Sequence, residues 1–194
     1  IPVNPYDAFR CDVPNLSTSL YFVVNDSFYT RQLPQAHLPE GVIVDSLCRV
    51  AATQPQLVEP YYGRLAQTGA DALVALNTML AQDGLFIYVP RHVRMDRTVQ
   101  IINILRSDVD LMVNRRVLIV VEQGAEARFL FCAPAADDRR FLATQVIEAY
   151  VGDNASLDLY CMEETHIRNT RTSNVFIEQQ ANSRVNHNVI TLHN

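Results

Sequence analysis

Cys161 and His166 stand five residues apart in Cys161-Met162-Glu163-Glu164-Thr165-His166. If the chain turns inside that stretch, a thiol, a carboxylate and an imidazole converge, and those are the donors that hold zinc or iron. The plainer reading is a core thiol beside a surface loop, and the residues favour it. Glu163 and Glu164 are neighbours, so on a strand they face opposite sides and make no acid–base pair. His187 and His193 differ by six positions, which puts them on one side of a strand but about 20 Å apart at roughly 3.3 Å per residue, too far to share an ion. His37 is the first of the chain's five histidines. Arg91, Arg94 and Arg97, with His92 among them, would form one basic face for a phosphate or an acidic partner only on a helix. Pro90 before them and Thr98-Val99 after them predict a loop. Asp137-Asp138-Arg139-Arg140 reads as a solvated, self-neutralising loop. On these grounds no residue is assigned a catalytic, cofactor-binding or metal-binding role.

Several chemistries are excluded outright. The 194-residue chain has no lysine; all sixteen basic residues are arginine. A Walker-type phosphate lysine and a Schiff-base lysine are therefore impossible. The six glycines form neither G-x-G-x-x-G nor Walker spacing, and no G-x-S-x-G elbow occurs. Cys11, Cys48, Cys132 and Cys161 include no C-x-x-C pair and read as free thiols that pack like small apolar residues. A net charge of −5 makes nucleic acid a poor partner. No apolar run approaches the roughly 18 residues that span a bilayer. No basic-then-apolar leader is visible in Ile1 to Phe9, so a cytoplasmic setting is expected. The first residue is not Met, and a preceding segment is expected.

The elements that carry these residues repeat. Gly124, Gly152 and Gln180 recur at 28 residues, followed by Ala127, Ala155 and Ser183, then Phe129, Leu157 and Val185. Ile119, Ile147 and Val175, then Val121, Ala149 and Ile177, lie before each turn. Each unit reads as a strand, a tight turn and a second strand. Repetition at such a period means stacked units that bury apolar faces on their neighbours, here a β-helix. Before it, residues 1–84 read as a small mixed α/β domain. Leu20 to Val24 is a strand followed by a turn at Asn25-Asp26-Ser27. Leu47 and Val50 share the face of a short helix starting near Asp45 or Ser46. Leu57, Tyr61 and Leu65 mark a second helix. Ala72, Leu73, Leu76, Met79 and Leu80 stripe a third, capped at Asp71. Residues 85–194 read as the first part of the β-helix. A last rung without a polar cap exposes unpaired backbone, so the chain is expected to be a fragment whose open edge pairs with a second copy.

Four blocks in order resemble the SufB/SufD family of iron–sulfur cluster assembly proteins. They are Leu38-Pro39-Glu40-Gly41-Val42; Asp71 to Asn77 with Asp83 to Pro90; Arg116 to Ala125; and Glu148 to Ala155. The resemblance spans roughly residues 20–194 and leans toward SufD, because SufB-type chains carry more cysteines near the amino end. It implies a right-handed β-helix between an amino-terminal mixed domain and a carboxy-terminal helical domain. It also implies a non-catalytic scaffold that pairs with SufB and the ABC-type ATPase SufC. No cofactor is expected in this chain, the iron–sulfur cluster being assembled by the intact complex. The later rungs and helical domain, which the family uses for pairing and ATPase binding, are missing from these residues, so the matched positions are expected to be architectural. The rival readings are a β-helical polysaccharide-active enzyme and a stand-alone binding or adhesion module.

Overall fold

The computed structural model describes residues 18–29, 38–69, 71–134, 139–165 and 167–193. The elements run β1 (Thr18–Val24), β2 (Ser27–Phe28), β3 (Ile43–Ser46), α1 (Leu47–Thr53), a 3₁₀ turn (Pro55–Leu57), α2 (Ala72–Leu80), β4 (Leu85–Val89), β5 (Thr98–Ile104), β6 (Leu111–Val121), β7 (Glu126–Ala133), β8 (Phe141–Val151), β9 (Ser156–Thr165), β10 (Asn169–Gln179) and β11 (Arg184–His193).

From β4 onward, successive strands alternate between two sheets. One sheet is ordered β2-β1-β5-β7-β9-β11, the other β3-β4-β6-β8-β10. Strands pair in parallel with the strand one rung away, so the chain coils as a β-solenoid. The amino-terminal segment extends both sheets: β1 lies parallel on β5, and β3 lies antiparallel on β4. Between the sheets runs an apolar lumen filled by residues such as Ile87, Ile101, Ile119, Phe129, Ile147 and Leu157, all fully or almost fully buried.

The repeat is not uniformly 28. Leu111 pairs with Phe141, an offset of 30, whereas Phe141 pairs with Asn169, an offset of 28. The four-residue turns after β6, β8 and β10 are equal in length; the difference arises between β7 and β10. Gly124 and Gly152 are therefore not equivalent. The Gly124 amide donates to the Asp153 carbonyl and the Asn154 amide to the Ala181 carbonyl, so the stacked column is Gly124, Asn154 and Asn182. All three adopt left-handed φ (67°, 56° and 57°), the conformation that glycine and asparagine tolerate best. Gly152 is constrained differently: a Cβ there would lie 2.7 Å from the Gln123 backbone nitrogen.

The helices differ from expectation in informative ways. Ser46 caps α1, its hydroxyl accepting from the Arg49 amide, and Asp71 caps α2 through the Leu73 and Val74 amides, as the sequence predicts. Leu57, Tyr61 and Leu65 do not share a helix; the segment is a 3₁₀ turn followed by further turns. The apolar stripe of α2 faces outward: Leu73, Met79 and Leu80 are exposed, while Val74 and Asn77 are fully buried. Asn77 is inward because its amide donates to the Arg115 carbonyl and to the carbonyl and hydroxyl of Thr144. A buried amide with partners outcompetes the burial of a longer apolar stripe.

Candidate functional site

Two polar groups lie inside this apolar framework. The first sits on the outer face of the β4-β6-β8 sheet, beneath α2 and the turns around 58–66. Arg116 on β6 and Glu148 on β8 form an ion pair at 2.7 Å, with side chains 1% and 0% exposed. The second oxygen of Glu148 accepts from the Leu65 and Ala66 amides, and the paired oxygen also accepts from the Gly63 amide. Arg116 donates to the Thr78 hydroxyl on α2, and its guanidinium lies 4.8 Å from the Tyr62 ring centroid. Tyr150 donates to the Tyr61 carbonyl at 2.7 Å. Four donors on one carboxylate satisfy a charge that would be costly alone. The group is sealed from solvent, so its chemistry is structural: it fastens the amino-terminal turns and α2 to the solenoid.

The second group lies in the lumen, at the corner opposite the tight turns. Cys161 and Glu163 point inward from β9, and Cys161 Sγ lies 3.9 Å from His187 Nε2 on β11. Arg115, Gln145 and Arg171 line the same cavity. Burial, then the charges of Glu163 and Cys132, push the Cys161 thiol up to about 12, and burial pulls the His187 imidazole down. At neutral pH this is a thiol beside a neutral imidazole, not the thiolate–imidazolium pair of a nucleophile. Among the described residues no group of three or more His, Cys, Asp or Glu is placed to hold a metal ion. His166, Cys11, His37 and Asp137-Asp138 lie outside the described residues. Cys161 thus meets His187, a histidine the sequence reading placed elsewhere. Arg91 and Arg94 lie in the predicted loop, 3.3 Å from Glu122 and Glu126, exposed pairs that contribute little.

Neither Arg115 nor Glu148 received a role from sequence. The available signal was charge inside apolar strands: Arg115-Arg116 interrupts the run from Val113 to Val121, and Glu148 follows Val146-Ile147. Charged residues in such strands must find partners.

The family model for the SufBD protein N-terminal region matches residues 1–101, and the model for the SUF system FeS cluster assembly, SufBD core domain, matches residues 103–194. The chain belongs to the SufBD family. SufD of Bacillus subtilis is 27% identical over 148 residues, 75% of this chain and 34% of that protein. A SufBD family protein of Arabidopsis thaliana is 28% identical over 118 residues, 60% of this chain and 25% of that one. A Synechocystis SufBD family protein is 29% identical over 119 residues, 61% and 25% of the two chains. This SufBD chain spans about a quarter to a third of the length of the curated relatives it matches.

Within this SufBD chain three of the resembling blocks, those holding Asp83-Gly84, Arg116 and Glu148, meet at or beside the outer clamp, while Leu38 and Val42 of the first pack on the lumen core. Asp83 accepts from the Ser46 hydroxyl and the Cys48 amide through one oxygen and from the Phe28 amide through the other. Gly84 beside it lets the chain pass the Arg116 strand: a Cβ at Gly84 would stand 2.4 Å from the Arg116 carbonyl oxygen. Gly84→Ala should therefore lower stability by about 2–3 kcal/mol through forced backbone displacement, read as a reduced urea midpoint; an unchanged midpoint would show that the approach is slack.

The lumen thiol predicts a pH effect. A folded pKa above the unfolded value means stability that is complete below the unfolded pKa and lost as pH rises toward the folded one. For Cys161 that window runs from the ordinary value of 9 to about 12. Cys161→Ala should lose about 1 kcal/mol or more at pH 7 from packing and fall less steeply than the parent above pH 9. Parallel alkaline slopes in urea melts would overturn this assignment.

Proposed function

We propose that this chain is the amino-terminal region and first rungs of a non-catalytic scaffold subunit, of SufD type, in the SUF iron–sulfur cluster assembly complex. The match of two consecutive SufBD models, from residue 1 to residue 194, carries the reading. The architecture supports it: the resembling residues Arg116, Glu148 and Gly84 build the clamp rather than an open cleft. The whole protein pairs with a SufB-type scaffold and a SufC-type ABC ATPase through parts outside these residues, in the cytoplasm. The cluster is assembled by that complex and is its product. In isolation, the edges of β10 and β11 pair two copies of this chain; light scattering that gives a monomer at high concentration would end that idea. No helix among the described residues is long and apolar enough to cross a membrane.

The test is co-purification. The full-length protein is expressed with its candidate ATPase and sister scaffold, beside the 1–194 chain. Retention of both partners by the full-length protein alone supports the scaffold reading. Loss of both from the full-length protein removes its functional content.

A further inference from the structure

Among the described residues, the lumen corner holds more positive charge than it pairs. Arg115 is 4% exposed. Its Nε donates to the Asn25 carbonyl at 2.9 Å, yet its Nη2 is buried without a partner. Arg171, two strand positions and two rungs away, gives Nη1 and Nη2 to the Ala133 and Pro134 carbonyls and leaves Nε buried and unpartnered. Both guanidiniums line one cavity of about 20 Å³, with Glu163, Gln145 and Cys161, room for a single water-sized occupant. Among the described residues neither arginine has a carboxylate within ion-pair distance. Glu163 and Asp26 attract Arg115, and Glu163 and Glu164 attract Arg171, only at longer range.

Backbone carbonyls satisfy N–H groups but do not neutralise charge. Two like charges facing one small cavity repel, and arginine does not relieve this by losing its proton. We infer that this cavity is a binding site for one small monovalent inorganic anion of halide size, seated against Arg115 Nη2 and Arg171 Nε. The water-sized space favours a halide over sulfate or phosphate, and Glu163 at the wall disfavours higher charge. The site is independent of the scaffold reading, because it uses groups inside the lumen that the clamp does not touch.

The probe is chloride or bromide against gluconate, a bulky anion, at equal ionic strength. Thermal unfolding of the protein should shift upward with halide, rising with the logarithm of its concentration once the site is filled, by mass action on the folded state. Arg171→Gln, at the partly exposed rung, should raise the chloride concentration at which the melting shift sets in by about tenfold, and Glu163→Gln should lower it. Arg171→Gln keeps the measurement available if Arg115→Gln does not fold. Crystals grown in bromide should show an anomalous peak between the two guanidiniums. Equal melting in chloride and gluconate, or bromide peaks only on the outer surface, would overturn the site.

Discussion

Glu148→Ala is expected to lower the unfolding free energy by about 3–5 kcal/mol, the cost of leaving a buried charge unpaired. Arg116 would remain 1% exposed with only the Thr78 hydroxyl and the Tyr62 face as partners. The Gly63, Leu65 and Ala66 amides would lose their acceptor as well. The loss is asymmetric: an Arg116→Met/Glu148→Met double variant removes both charges and should be less destabilised than the sum of the two single variants. Urea unfolding of the four proteins supplies the cycle. Amide exchange at residues 63–66 gives a local readout, since these N–H groups should exchange fastest in Glu148→Ala. A Glu148→Ala midpoint equal to the parent's would mean that the clamp does not hold the amino-terminal turns down.

The clamp also explains where sequence pattern misleads. Leu57, Tyr61 and Leu65 have helical spacing, but the amides that a helix would use internally are committed to Glu148, and Gly63 sits at φ 74°. The carboxylate that decides this lies more than eighty positions away, beyond any local pattern. The outward stripe of α2 has the same origin, since Asn77 and the groups around Arg116 claim the inner face. The solenoid itself was legible for a reason that survives the wrong period. Offsets of 28 and 30 are both even, so reading the first step as 28 misplaces the stacking by one pleat but leaves every side chain on its correct face. Ile119, Phe129, Ile147, Leu157 and Val175 all point to the lumen as the alternation requires. Where the step truly is 28, even a contact is within reach: His187 pairs with Leu159, two residues from Cys161 on the same face.

The lumen should be as sensitive as the clamp, and Phe129 is its clearest test. Phe129 is fully buried and stacks between Val99 on β5 and Leu159 on β9. Phe129→Ala deletes a ring that both neighbouring rungs pack upon, and parallel strands tied into their sheet cannot collapse into the space. The expected loss is about 3–5 kcal/mol. Leu192→Ala, by contrast, removes a side chain that is 46% exposed on the last described strand and should cost under about 1 kcal/mol. Because stacked units are stabilised through nearest-neighbour interfaces, the Phe129 variant weakens β7 against both β5 and β9, and exchange in those three strands should rise together. Phe131→Ala, two residues on and 3% exposed, lines the anion cavity and separates the two effects. If the lumen is held by packing alone, it should lose stability equally in chloride and gluconate. If the cavity holds a halide, the loss should be larger in chloride, where the parent protein has a bound ion to forfeit.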